Sequence, residues 1–120
     1  MTYFTNKELS CPCCGMLFIS DTFLSKLTEA RILAGVPFAV NSACRCDAHN
    51  KEVGGSPTSS HLVSSTHSCV AMDIGVTSSA QRFKILAALI KVGFTRIGVA
   101  KTFIHVDGDL AKSQEVTWVY

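Results

Sequence analysis

Apolar positions along the chain fall into stretches of two different periods. Phe23, Leu24, Leu27 and Ala30 recur at helical spacing behind Ser20-Asp21, which can cap a first turn, and the run stops at Gly35 and Pro37. The spacing predicts a helix over about residues 21 to 34. Phe38-Ala39-Val40 is a short apolar run suited to a strand, and residues 47 to 53 fit a short helical turn. Gly, Pro, Ser and Thr dominate from Gly54 to Ser60 and return between Val63 and Ser68, so the middle of the chain reads as loop around His61. Val70 to Val76 reads as a buried strand carrying one carboxylate. Ser78 or Ser79 can cap a second helix lined on one side by Phe83, Ile85, Leu86, Leu89 and Ile90, closing near Gly93. Strand-like segments follow at Arg96 to Val99, Thr102 to Val106 and Val116 to Val119. This order predicts an α+β fold: a small antiparallel sheet flanked by two main helices.

Length and composition narrow the picture. A chain of 120 residues, 48% hydrophobic and 17% charged, is expected to form a single domain over 1–120 with one core. The net charge is only +2 and the basic residues are scattered, so no nucleic-acid partner is expected. No stretch approaches bilayer-spanning length, and the first residues lack the layout of a secretory signal. A soluble monomer made in the cytoplasm, with no membrane partner, is therefore expected.

Two polar residues interrupt apolar strands. Asp73 lies within Val-Ala-Met-Asp-Ile and His105 within Phe-Ile-His-Val-Asp. A buried carboxylate is costly unless it is paired, hydrogen-bonded or bound to a metal. With His61 from the preceding loop, these residues make a His, Asp, His set that leaves a fourth position open, as a catalytic zinc requires. The bland alternative is a satisfied core histidine and an aspartate that caps a loop.

Cys11, Cys13, Cys14, Cys44, Cys46 and Cys69 are many for a cytoplasmic chain, and disulfides are not the first reading. The CxxC of Cys11 and Cys14 with the close pair Cys44 and Cys46 suggests a structural zinc site of an interaction protein; small buried thiols are the simpler reading. His49-Asn50 reads as a turn closed by side chain to backbone bonds. Trp118 and Tyr120 read as sheet-packing aromatics.

Five segments, taken together and in order, resemble the zinc D-alanyl-D-alanine carboxypeptidase and murein endopeptidase family. They are Ser42-Ala43-Cys44-Arg45-Cys46 with His49-Asn50, Val53-Gly54-Gly55, Ser59-Ser60-His61-Leu62, Ala71-Met72-Asp73-Ile74 and Phe103-Ile104-His105-Val106-Asp107. The resemblance spans roughly residues 4 to 110. That family includes phage endolysins and shares its fold with the hedgehog signalling domain.

The resemblance implies Zn2+ held by His61, Asp73 and His105, with Arg45 and Ser59 contacting a peptide of the bacterial cell wall. It implies hydrolysis of D-amino-acid-containing stem peptides of peptidoglycan, in the manner of a phage or prophage lytic enzyme that reaches the wall after release. A non-catalytic, metal-stabilised binding domain of the same fold is the alternative.

Three departures stand out. His61 and Asp73 are twelve residues apart where the family has seven, which implies an insertion of five and makes His67 a rival ligand. Thr102 stands where the family has its proton acceptor, so Asp107, the nearest carboxylate, is expected to act as the catalytic base, with Arg45 and the metal stabilising the oxyanion; orienting His105 or binding the metal are the other roles open to Asp107. Ala43-Cys44 replaces the usual Gly-Tyr.

Overall fold

The structure is a computed structural model that describes residues 3–120. Helix α1 (Asn6–Leu9) is followed by α2 (Asp21–Ala34), strand β1 (Ala39–Ser42), α3 (Asp47–Glu52), β2 (Ala71–Gly75), α4 (Ser79–Lys91), β3 (Arg96–Val99), β4 (Phe103–Asp107) and β5 (Val116–Val119). The α+β expectation holds. Helix α2 starts at the Ser20 cap, whose side chain accepts from the Phe23 N–H, and ends at Gly35 in the left-handed conformation. Ser78, rather than Ser79, caps α4 by accepting from the Gln81 N–H.

Sequence periodicity overlooked α1. Thr5 and Glu8 form a reciprocal capping box around it, a Thr-x-x-Glu spacing that is visible in the chain. The apolar side assigned to α4 also needs correction: Ile85, Ala88 and Leu89 are buried, whereas Phe83 and Ile90 are exposed. Residues 85, 88 and 89 form one helical stripe, and positions 83 and 90 lie off it.

The five strands form one sheet in the order β1-β2-β4-β3-β5. The first four pair antiparallel as expected, and β5 joins the β3 edge in parallel. Strand β4 ends beside the start of β3, so the chain returning through residues 108–115 enters β5 in the direction of β3.

Side chains alternate across a strand, and here the alternation divides core from site. Met72 and Ile74 of β2, Ile97 of β3, and Ile104 and Val106 of β4 are buried together with Phe23, Leu27 and Ala30 of α2 and Ile85, Ala88 and Leu89 of α4. Each fully buried Leu or Ile contributes about 1.5–3 kcal/mol relative to exposure. The intervening positions form a lateral row across the sheet. Ser42 pairs with Asp73, Asp73 with His105, His105 with Gly98, and Gly98 with Trp118.

The long loop between α3 and β2 is pinned at several points. Arg45 and Leu62 form an isolated parallel bridge, Ser64 N–H donates to the His67 carbonyl, and a disulfide joins Cys44 to Cys69. Reading the cysteines only as thiols or zinc ligands therefore missed one covalent link. Cys44 is not available to a metal.

Candidate metal centre

Asp73 and His105 meet because they oppose each other in the β2–β4 ladder. The Asp73 Oδ1 lies 2.9 Å from His105 Nδ1 and 3.2 Å from His61 Nε2. One ligand atom from each of His61, Asp73 and His105 lies within 4.8 Å of the others. His61 and His105 rings stand 5.3 Å apart, edge to face. His67 is exposed and lies outside this group. The additional residues after Leu62 fold into the tethered loop, so the twelve-residue spacing still delivers His61 to Asp73.

The outer nitrogens of both rings are occupied. His61 Nδ1 lies 2.6 Å from the Ala43 carbonyl oxygen, and His105 Nε2 lies 2.7 Å from Asp107 Oδ2. A carbonyl or carboxylate oxygen accepts, so these nitrogens carry the hydrogens. In the neutral rings, the nitrogens turned toward Asp73 are then the lone-pair atoms. Two lone pairs and a carboxylate converging within this distance need either two extra protons or a cation between them. A carboxylate or carbonyl behind each histidine is also the arrangement that orients metal-ligating imidazoles. The N, N, O donor set fits zinc, so the residues present suit the ion that the resemblance implies.

The charges follow from these contacts. Burial pushes the Asp73 carboxyl upward, but hydrogen bonds and charge from His105 and His61 outweigh it and hold the group well below the usual carboxylate range. Burial lowers His105, yet its bonds to Asp107 and Asp73 prevail and raise it. Asp107 is raised by burial and lowered more by His105, the Asp109 N–H and Arg96.

Asp107 occupies a different place from the one a proton acceptor needs. The His105 ring lies between it and Asp73, and its oxygens also accept from Arg96 Nε at 2.7 Å and from the Asp109 N–H at 3.1 Å. Of the three roles open to it from the sequence, this geometry favours orienting His105 and disfavours base or metal ligand.

Arg45 reaches Asp73 Oδ2 through Nη2 at 3.3 Å, while Nε donates to Ser42 Oγ and Nη1 to Asn50 Oδ1. Asn50 is buried and donates in turn to the Ser56 carbonyl. A Cβ on Gly55 would collide with Asn50 Oδ1 and press on Arg45, which gives the Gly-Gly segment a physical reason. The reading of His49-Asn50 as a simple turn therefore missed the residue that aims Arg45. Ser59 Oγ accepts from the His61 N–H and shapes the turn that carries the histidine.

Arg96 and Trp118 also escaped sequence reasoning. Arg96 pairs with Asp107 and lies under the Trp118 ring at 5.1 Å, and that ring stands 5.6 Å from His105. A Cβ on Gly98 would strike the indole, so the glycine admits Trp118 beside the site. The signal available was a charged residue opening an apolar strand and a glycine inside it.

A cleft of about 590 Å³ opens over Asp73 and Arg45, lined also by Glu8, Ser42, His49 and Phe103. Among the described residues, no helix is long and apolar enough to cross a membrane. A search of curated proteins and a search of solved structures each returned no match. A family model described as Peptidase M15 matches residues 2–107, covering every motif segment from α1 to the end of β4. The chain belongs to the Peptidase M15 family and is by that membership a peptidase.

Proposed function

We propose that residues 1–120 act as one zinc-dependent peptidase domain whose ion is held by His61, Asp73 and His105, and whose substrates are peptidoglycan stem peptides. The observation that carries this reading is the convergence of two imidazole nitrogens and one carboxylate while the far side of each ring is already hydrogen-bonded. The D-amino-acid substrate and an origin in a phage or prophage lytic enzyme rest on the resemblance of the five motif segments.

Bound zinc would supply a Lewis acid and a water acidified to near neutrality. The chain's own residues do the rest. His61 and His105 are fixed in one tautomer by Ala43 and Asp107. Arg45, braced by Ser42 and Asn50, offers a fixed positive charge at the cleft to a substrate carboxylate or a developing oxyanion. Trp118 shields His105 from one side. Asp107 serves as the positioning group for His105. Glu8 and His49 also line the cleft, and the proton-accepting role is assigned to one of them.

One observation favours the second reading, a metal-stabilised binding domain without catalysis: Thr102 stands where the family has its base, and the oxygens of Asp107 are already engaged. Incubation of the zinc-loaded protein with purified peptidoglycan separates the two. New peptide termini identified by mass support the peptidase; binding to the wall without cleavage supports the alternative.

A further inference from the structure

A second group of ligand-type side chains lies apart from the histidine site. The sulfurs of Cys11, Cys14 and Cys46 all lie within 4.8 Å of one another. Cys13 Sγ is 3.7 Å from Cys46 Sγ. None of these four forms a disulfide. A tetrahedral zinc with Zn–S near 2.3 Å places its sulfurs about 3.8 Å apart, so the first three need only small side-chain rotations to close around an ion, while Cys13 lies outside their group and has to turn in.

The backbone is arranged to suit thiolates. The chain reverses between Cys11 and Met16, with the Gly15 N–H donating to the Cys11 carbonyl, the Cys11 N–H to the Met16 carbonyl, and Gly15 at φ 78°. This turn brings the two sulfurs of the CxxC to one side. The Cys46 N–H donates to Cys11 Sγ at 3.3 Å and the His49 N–H to Cys46 Sγ at 3.4 Å. Amide hydrogens aimed at sulfur favour the negative, ligating form.

We propose that Cys11, Cys14 and Cys46, with Cys13 turning in as the fourth ligand, bind a structural zinc ion separate from the His61, Asp73 and His105 centre. The ion ties the segment after α1 to the first turn of α3. Arg45 is then bracketed by two cross-links, the Cys44–Cys69 disulfide on one side and the metal at Cys46 on the other. Its guanidinium is thereby held against Asp73. The site expected from sequence included Cys44; the disulfide removes that residue and Cys13 replaces it.

The test is made on the full chain carrying His61→Ala and His105→Ala, so that the first centre cannot bind and its failure cannot be confused with failure here. Purified with zinc and reductant, this variant should retain one zinc ion by elemental analysis. X-ray absorption should show four sulfur neighbours near 2.3 Å. Adding Cys11→Ser and Cys14→Ser should abolish that ion. Should those changes prevent folding, alkylation of the parent variant provides the check: zinc should protect Cys13 and Cys14, and chelation should expose them. Absence of zinc from the parent variant, nitrogen or oxygen in the shell, disulfides among the four cysteines, or alkylation indifferent to zinc would each overturn the proposal.

Discussion

Asp73 and His105 face each other directly across the β2–β4 ladder, with Asp73 Oδ1 2.9 Å from His105 Nδ1. The register of two antiparallel strands therefore builds two thirds of the site. A slip of one residue in β4 would turn His105 into the core and bring Ile104 to the cleft opposite Asp73. Insertion of a single residue into β4 should accordingly abolish zinc binding and lower the melting temperature together. A folded insertion variant with unchanged metal affinity would break this link between register and site.

Asp107 should act through His105 rather than on substrate. Asp107→Asn keeps the shape but weakens the grip on the imidazole, and the expected cost is about 10–100-fold in zinc affinity or activity. Competition against a chromophoric chelator measures the affinity. The pH profile of hydrolysis should keep its acidic limb in this variant; loss of that limb would return the base role to Asp107.

Proton linkage gives the metal-free protein a defined pH window. His105 is raised above 6.5, so its contribution to folding is complete below that value and is lost as pH rises through the raised one. Asp73 and Asp107 are lowered from 3.8, so theirs is present above that value and is lost as pH falls through the depressed ones. Melting of the chelated protein should peak between those limits and decline on the alkaline side. Zinc needs the nitrogens unprotonated, so its stabilising increment should grow over the same rise. Calorimetry from about pH 5 to about pH 9 on a chelated Cys11→Ser variant, which removes a thiol lowered to about 7, follows His105, and a metal-free melting temperature that climbs through neutrality would contradict the assignment.

Gly55→Ala should disturb Arg45 through Asn50, and Asn50→Ala should leave the guanidinium short of one partner. Loss of a buried hydrogen-bonding partner costs about 1–3 kcal/mol. Both variants should bind zinc with little change while the KM for peptide rises. Unaltered kinetics in both would remove Arg45 from the substrate site.

The Cys44–Cys69 disulfide closes a segment with a sequence separation of 25 and should contribute about 3 kcal/mol by restricting the unfolded chain. Cys44→Ala with Cys69→Ala should lower the melting temperature and loosen the loop after His61. Denaturant unfolding with equal midpoints in the two proteins would contradict the bond's structural role.

The main helices and most strands were legible because their periods, caps and breakers agree: Ser20 and Gly35 bracket α2 as their chemistry dictates. Asp73 and His105 were legible because a carboxylate and an imidazole inside apolar strands demand a partner. Asn50, Arg96 and Trp118 were not, since each acts through a contact that depends on register or loop packing rather than on local pattern. The parallel attachment of β5 and the Cys44–Cys69 pairing are likewise decided by tertiary neighbours, and α1 was hidden by its length of four residues.

Digestion of purified peptidoglycan by the intact protein decides whether His61, Asp73 and His105 hold the zinc of a wall-peptide hydrolase. The digestion is run with and without chelator and with Asp73→Asn, and the released peptides are weighed. Defined stem-peptide cleavage should stop on chelation, return with zinc and be absent from Asp73→Asn. Cleavage that persists in the chelated protein or in Asp73→Asn would contradict that assignment.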